Sequence, residues 1–188
     1  MTLTTLDPNT ALIIVDLQKG IVSLPVIHPV AGIIAQACAL AGAFRARGLP
    51  VVLVNVAGMA PGRTEQPPRQ TGSFPAGWTD LIPELDQQAG DILITKRSWG
   101  AFANTDLEAQ LKALGVTQVV IAGVATGSGV EATARQAYES GFNVTLAIDA
   151  MTDMRPEVHE HSVRNIFPRL GESGTSQEII GLLPEHSL

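Results

Sequence analysis

Residues 119–149 read VVIAGVATGSGVEATARQAYESGFNVTLAID, and this stretch decides the fold. An apolar run ends in the turn Gly123-Val124-Ala125-Thr126-Gly127-Ser128-Gly129. Val130, Ala134 and Ala137 then recur at helical spacing until Gly141, after which a second apolar run ends at Asp149. Strand, glycine-rich turn, helix and strand make one βαβ unit, whose turn faces the ligand side of a parallel sheet.

Upstream, Asp91–Thr95 (DILIT) is a strand that runs straight into Lys96. Thr105 and Glu108 have capping-box spacing before Leu107, Leu111 and Leu114, and Gly115 stops that helix. Val51–Val56 and Ala11–Asp16 are apolar runs without polar alternation, as expected of central strands covered on both faces. Between those two strands, Val30, Ile33, Ala37, Leu40 and Phe44 mark an amphipathic helix; Cys38 lies beside this stripe as a packing residue. Downstream, Pro156 opens a helix, residues 171–174 suit a short edge strand, and Thr175 with Glu178 repeats the capping box. His159 and His161, two apart on a helix, point to different faces and read as surface residues.

The whole is a three-layer α/β/α sandwich with a mainly parallel, about six-stranded Rossmann-like sheet, expected as one domain over 1–188. Residues 57–77, rich in proline and glycine and without periodicity, read as a lid or an oligomer-contact loop. Arg63 and Arg69 on it are candidates to clamp an anionic group. A net charge of −6 with 12 basic residues argues against nucleic acid. The apolar runs fall short of the roughly 20 residues a membrane helix needs, and the N-terminus has no signal-peptide pattern. The expected compartment is the cytoplasm, and the expected partner is a small molecule rather than a membrane or nucleic acid. One cysteine excludes an internal disulfide and a thiolate metal cluster.

Asp16, Lys96 and the turn at 127–130 all fall at strand carboxyl ends, where ligands of such sheets bind. They carry a resemblance that runs nearly end to end. Ala11–Gln18 (ALIIVDLQ), Lys96–Phe102 (KRSWGAF), Gly123–Val130 (GVATGSGV), Thr133-Ala134-Arg135 and Asp149-Ala150 together resemble the isochorismatase-like hydrolase superfamily. That resemblance implies Asp16 as acid/base and Lys96 as its partner. It implies substrate contacts from Ala125, Ser128, Gly129, Val130, Trp99 and Phe102, and a homo-oligomer. It also suggests a cis peptide at Val124–Ala125.

Many members hydrolyse amides through a cysteine that corresponds to Gly129 here, and glycine cannot form a thioester. Isochorismatases proper resemble this chain in having glycine there, and cleave a vinyl ether by protonation without a nucleophile. The expectation is therefore Asp16 catalysis with no side-chain nucleophile, and with extra room for a ring where the cysteine is missing. Exposed amides of Gly129 and Val130 would hold a carboxylate. Ala125 departs from the bulkier aromatic of isochorismatases proper. Asn55-Val56-Ala57 replaces the Asp-x-His metal motif of many amidase members, so neither a catalytic metal nor a cofactor is expected. Two alternatives stand beside this reading: a catalytically silent binding or scaffold protein, and an amidase that recruits Ser128. For Ser128 the competing role is a capping box with Glu131.

Overall fold

The computed structural model describes residues 3–65 and 74–184. Its sheet comprises β1 (Thr10–Val15), β2 (Val51–Val56), β3 (Ile92–Lys96), β4 (Gln118–Val124), β5 (Asn143–Thr152) and β6 (Glu172–Gly174). All pairings are parallel and the order is β3-β2-β1-β4-β5-β6, so the direction of winding reverses between β1 and β4. The crevice of a doubly wound sheet opens at that reversal.

The helices are α1 (Lys19–Val22), α2 (Val30–Ala46), α3 (Leu107–Ala113), α4 (Glu131–Glu139), α5 (Pro156–His161) and α6 (Ser176–Leu182). β1 is buried along its whole length, and its alternating side chains feed two cores. Leu12 and Ile14 pack with Leu40 and Phe44 of α2 and Ile179 of α6. Ile13 and Val15 share the other core with Leu107 and Leu111 of α3 and with Ala134 of α4. At Gly123, with φ +119°, a Cβ would lie 2.0 Å from the Val15 carbonyl oxygen, so only glycine lets β4 approach β1 so closely.

Three local expectations are corrected. β5 does not end at Asp149 but continues to Thr152, with a register shift between the partners of Ile121 and Gly123. Asp149 is thereby drawn away from the crevice, and it accepts from the Ser176 amide and hydroxyl at 2.7 and 2.8 Å. The Thr105–Glu108 box does not close, because Glu108 binds Lys112 and Ser140 instead. The Ser128–Glu131 box also fails. Glu131 accepts from Arg135 and Ser162, and α4 has no side-chain cap. The Thr175–Glu178 box forms in full.

Candidate active site

Lys96 stands at the end of β3, and its ammonium reaches past β2 to Asp16 at the end of β1. Nζ lies 2.8 Å from Asp16 Oδ2 and donates at 2.5 Å to the Trp99 carbonyl. The lysine side chain is 1 % exposed and the aspartate side chain 7 %. Asp16 has φ 53°, a left-handed conformation uncommon for a non-glycine residue, while its amide still donates to Val54 O at 2.9 Å.

The two aspartate oxygens are unequal. Oδ2 holds the ammonium; Oδ1 is the one buried side-chain polar atom among the described residues without a hydrogen-bond partner. Burial raises the carboxyl from 3.8 to about 6, outweighing the Lys96 charge and hydrogen bond that pull it down. A proton can therefore rest on Asp16 up to about pH 6.

The turn after β4 supplies the third side of this corner. The Val124–Ala125 peptide is cis, as the resemblance suggests. Residues 126–130 form a wide π-helical turn that leads into α4. A Cβ built on Gly129 would lie 3.0 Å from Val15 Cγ1, 3.1 Å from Lys96 Nζ and 3.2 Å from Asp16 Oδ2. Position 129 thus faces the ion pair directly. The room expected for a ring is absent within a methyl group's reach, since these three groups already close on the backbone.

The other sequence candidates separate into those near the corner and those the fold uses elsewhere. Val130 is fully buried in the core beside Ala134, and its amide donates to Ala125 O at 3.1 Å; neither its side chain nor its amide is open to a ligand. Phe102 is buried in the core and tilted against Phe142, with ring centroids 5.9 Å apart. Ala125 is buried at the base of the turn. Trp99 is 68 % exposed, with its carbonyl on Lys96 and its indole outside. Ser128 is half-buried in the turn and neither acts as a cap nor bonds to the pair. Arg63 is exposed, whereas Arg69 lies outside the described residues. Asn55 takes a structural place, donating to Thr79 O and accepting from Thr95 Oγ1. Cys38 donates to Glu84 O, and burial followed by the Glu84 charge pushes its thiol up.

Several residues of this region escape a reading of the sequence. Asp153 is buried and accepts from the amides of Gly127, Met154 and Arg155, which ties the turn to the end of β5. His159 is not a surface residue. It is half-buried, its Nδ1 is 2.8 Å from Thr126 Oγ1, and its ring meets that of His28 edge-on at 4.9 Å. Burial, then the neighbouring His28, lowers its pKa. Gln18 is fully buried and clasps both the amide and the carbonyl of Val56. Only Gln18 carries a local signal, a long polar side chain two residues beyond a strand-end aspartate.

A parallel sheet with an acid–lysine pair at the carboxyl edge of its strands has the layout in which α/β proteins bind small molecules. The isochorismatase-domain family model matches residues 10–178. The uncharacterized isochorismatase family protein YwoC of Bacillus subtilis is 40% identical over 178 residues, covering 92% of this chain and 93% of the relative. The solved structure of an isochorismatase family protein from Burkholderia thailandensis superposes with a TM-score of 0.91 at 38% identity, covering 95% and 97% of the two chains. The ureidoacrylate amidohydrolase RutB of Pseudomonas syringae is 29% identical over 181 residues, covering 79% of this chain and 73% of that one. The chain belongs to the isochorismatase family of hydrolases.

Proposed function

We propose that this protein hydrolyses a small anionic organic molecule with Asp16 as its acid and Lys96 as the acid's partner, without a side-chain nucleophile, and that the bond cleaved is of the vinyl-ether type. The observation that carries the reading is the buried, unpartnered Oδ1 on a carboxyl whose pKa is raised to about 6. A proton on Oδ1 breaks no hydrogen bond, while Oδ2 keeps the ammonium. Transfer of that proton to the enol-ether carbon creates an oxocarbenium centre. Water adds to it and returns a proton to the Asp16 carboxylate, and the hemiketal, its leaving oxygen taking up the hydroxyl proton, collapses to an alcohol and a carbonyl compound. The carboxylate left behind is stabilised by Lys96 at 2.8 Å.

The amidase alternative through Ser128 finds little support, because an alcohol nucleophile needs a base in hydrogen-bond reach and Ser128 is bonded to none. Position 129 is the one whose Cβ would face the pair among the glycines of the turn. The proposal includes a cytoplasmic homo-oligomer, which light scattering of the purified protein tests.

Release of pyruvate from isochorismate is the direct assay, beside a panel of amides and carbamoyl compounds. The pH profile then gives the sign. An acid must be protonated, so kcat/KM falls about tenfold per unit above a midpoint near 6. An Asp16 that works as a base gives a rising limb instead. Ligand-induced stabilisation with no product from any of these compounds would establish the silent binding protein.

A further inference from the structure

We propose that Thr133 is a positioning residue for the Asp16–Lys96 pair, because its one hydroxyl ties the turn at Gly129 to the loop that holds Lys96. Thr133 lies fully buried in the first turn of α4 and belongs to none of the groups that face a substrate. Its hydroxyl donates to the Gly129 carbonyl at 2.7 Å and accepts from the Ala101 amide at 3.1 Å. Gln136, one turn on, accepts from the Phe102 amide at 3.0 Å. A Cβ on Gly100 would fall 2.2 Å from Gln136 Oε1, so this loop lies directly against α4.

The loop so fixed carries the Trp99 carbonyl, and that carbonyl is the second acceptor of the Lys96 ammonium. A hydroxyl with both its donor and its acceptor roles filled sets the distance between two backbones within a few tenths of an ångström. Here those backbones are position 129, which faces the pair, and residues 99–102, which hold the lysine. Loss of the hydroxyl leaves the Ala101 amide unpaired and lets the Trp99 carbonyl retreat. Lys96 is then held less firmly against Oδ2. Among the described residues Lys96 is the charged group that acts on Asp16, so a weaker pairing raises the Asp16 midpoint.

The importance of this position rests on the acid reading of Asp16, but its test does not need turnover. The Asp16 carboxyl carbon is followed by NMR in protein labelled at aspartate, with Asp16→Asn assigning the signal. Thr133→Val keeps the shape, removes both bonds and is expected to raise the midpoint by about half a unit or more. Thr133→Ser keeps the hydroxyl and returns it to the wild-type value. Gln136→Leu, at a half-buried site, gives a smaller rise and carries the test if Thr133→Val does not fold. An unchanged midpoint in a folded Thr133→Val, or in Gln136→Leu where that variant carries the test, overturns the proposal, as does a serine variant that shifts as far as valine. If the midpoints move as stated while no vinyl ether is turned over, the functional reading fails and the positioning role stands.

Discussion

Gly129→Ala is the smallest perturbation that separates the two things position 129 does. The added methyl meets Val15 Cγ1, Lys96 Nζ and Asp16 Oδ2 at 3.0, 3.1 and 3.2 Å, each short of the 3.4–4 Å of ordinary contact. None of the three can withdraw freely. Val15 is fully buried, and the ammonium is held by both Trp99 and Asp16. Overpacking of this kind costs about 1–3 kcal/mol. For a chain of this length each kcal/mol lowers Tm by roughly 2–4 °C, so a fall of about 2–12 °C is expected. If the ammonium retreats about 0.4 Å from Oδ2, the pair loses about 0.7 kcal/mol at an effective dielectric near 20. That loss moves the Asp16 midpoint up by about half a unit. Calorimetry reads the first effect and the pH profile of turnover, or the carboxyl NMR signal, reads the second. An alanine variant with unchanged Tm and unchanged Asp16 midpoint would refute the claim that the pair fills the space beside position 129.

Other outcomes follow from the same geometry. Gly129→Cys places a thiol between Lys96, which favours the thiolate, and Asp16, which opposes it only when ionised, whereas burial and Glu84 raise Cys38; the raised Asp16 carboxyl leaves the ammonium dominant. Mass spectrometry after brief alkylation is expected to show residue 129 modified at least about tenfold faster than Cys38, and equal labelling would count against the electrostatics. The raised Asp16 carboxyl also makes stability depend on pH. The folded state keeps a proton that the unfolded chain releases near 3.8, so this contribution is complete below that pH and is lost as pH rises through about 6. The difference in unfolding free energy between wild type and Asp16→Asn should change by about 3 kcal/mol across that window, and a flat difference contradicts the shift. Asp153→Ala strands three amides and should cost about 2–4 kcal/mol in urea denaturation, with less than 1 kcal/mol lost if the turn is held by other contacts. Gly127→Ala drives a methyl to 2.1 Å from Val158 Cγ1 and should destabilise by about 3 kcal/mol or more while leaving the Asp16 midpoint in place; a shifted midpoint would show that the two glycines are not independent.

The sheet was legible in the sequence because its central strands are continuous apolar runs whose burial on both faces needs no tertiary knowledge to infer, as Ala11–Val15 and Val119–Val124 show. Strand ends were legible where a charge breaks such a run, and both members of the ion pair were found in this way. Residue roles that depend on distant partners were not. Phe102 and Val130 sit at loop and turn positions that suggest a cleft, and only the packing of α3, α4 and Phe142 shows them to be core. Asp149 and Asp153 are two aspartates near one strand end, and the register shift in β5 decides which meets the turn. The capping spacings at Thr105, Ser128 and Thr175 are equivalent in sequence. Rival partners for Glu108 and Glu131 leave only the last to close. His159 is ordinary in its own segment and becomes half-buried because the loop bearing His28 lies against it.

Gly127 and Gly129 stand two residues apart in one turn and lack a side chain for different reasons. At 127 the obstacle is Val158 of α5, a packing neighbour with no chemistry, at a distance no real Cβ occupies. Any side chain there must displace the Val158 methyl. At 129 the backbone is not left-handed, and the neighbours lie at distances that a shift of a few tenths of an ångström would relieve. The fold therefore tolerates a side chain at 129 at a smaller cost than at 127, and the neighbours it presses on there are the ion pair itself. With no side chain in that place, the ion pair lies against the turn and Asp16 retains the one unpartnered buried oxygen of the site. A nucleophile at 129 would find Lys96 and Asp16 already beside it but would need the carboxylate ionised to accept its proton. The observed arrangement instead leaves Oδ1 unbonded on a carboxyl raised to about 6, which suits a group that gives its proton to a substrate carbon.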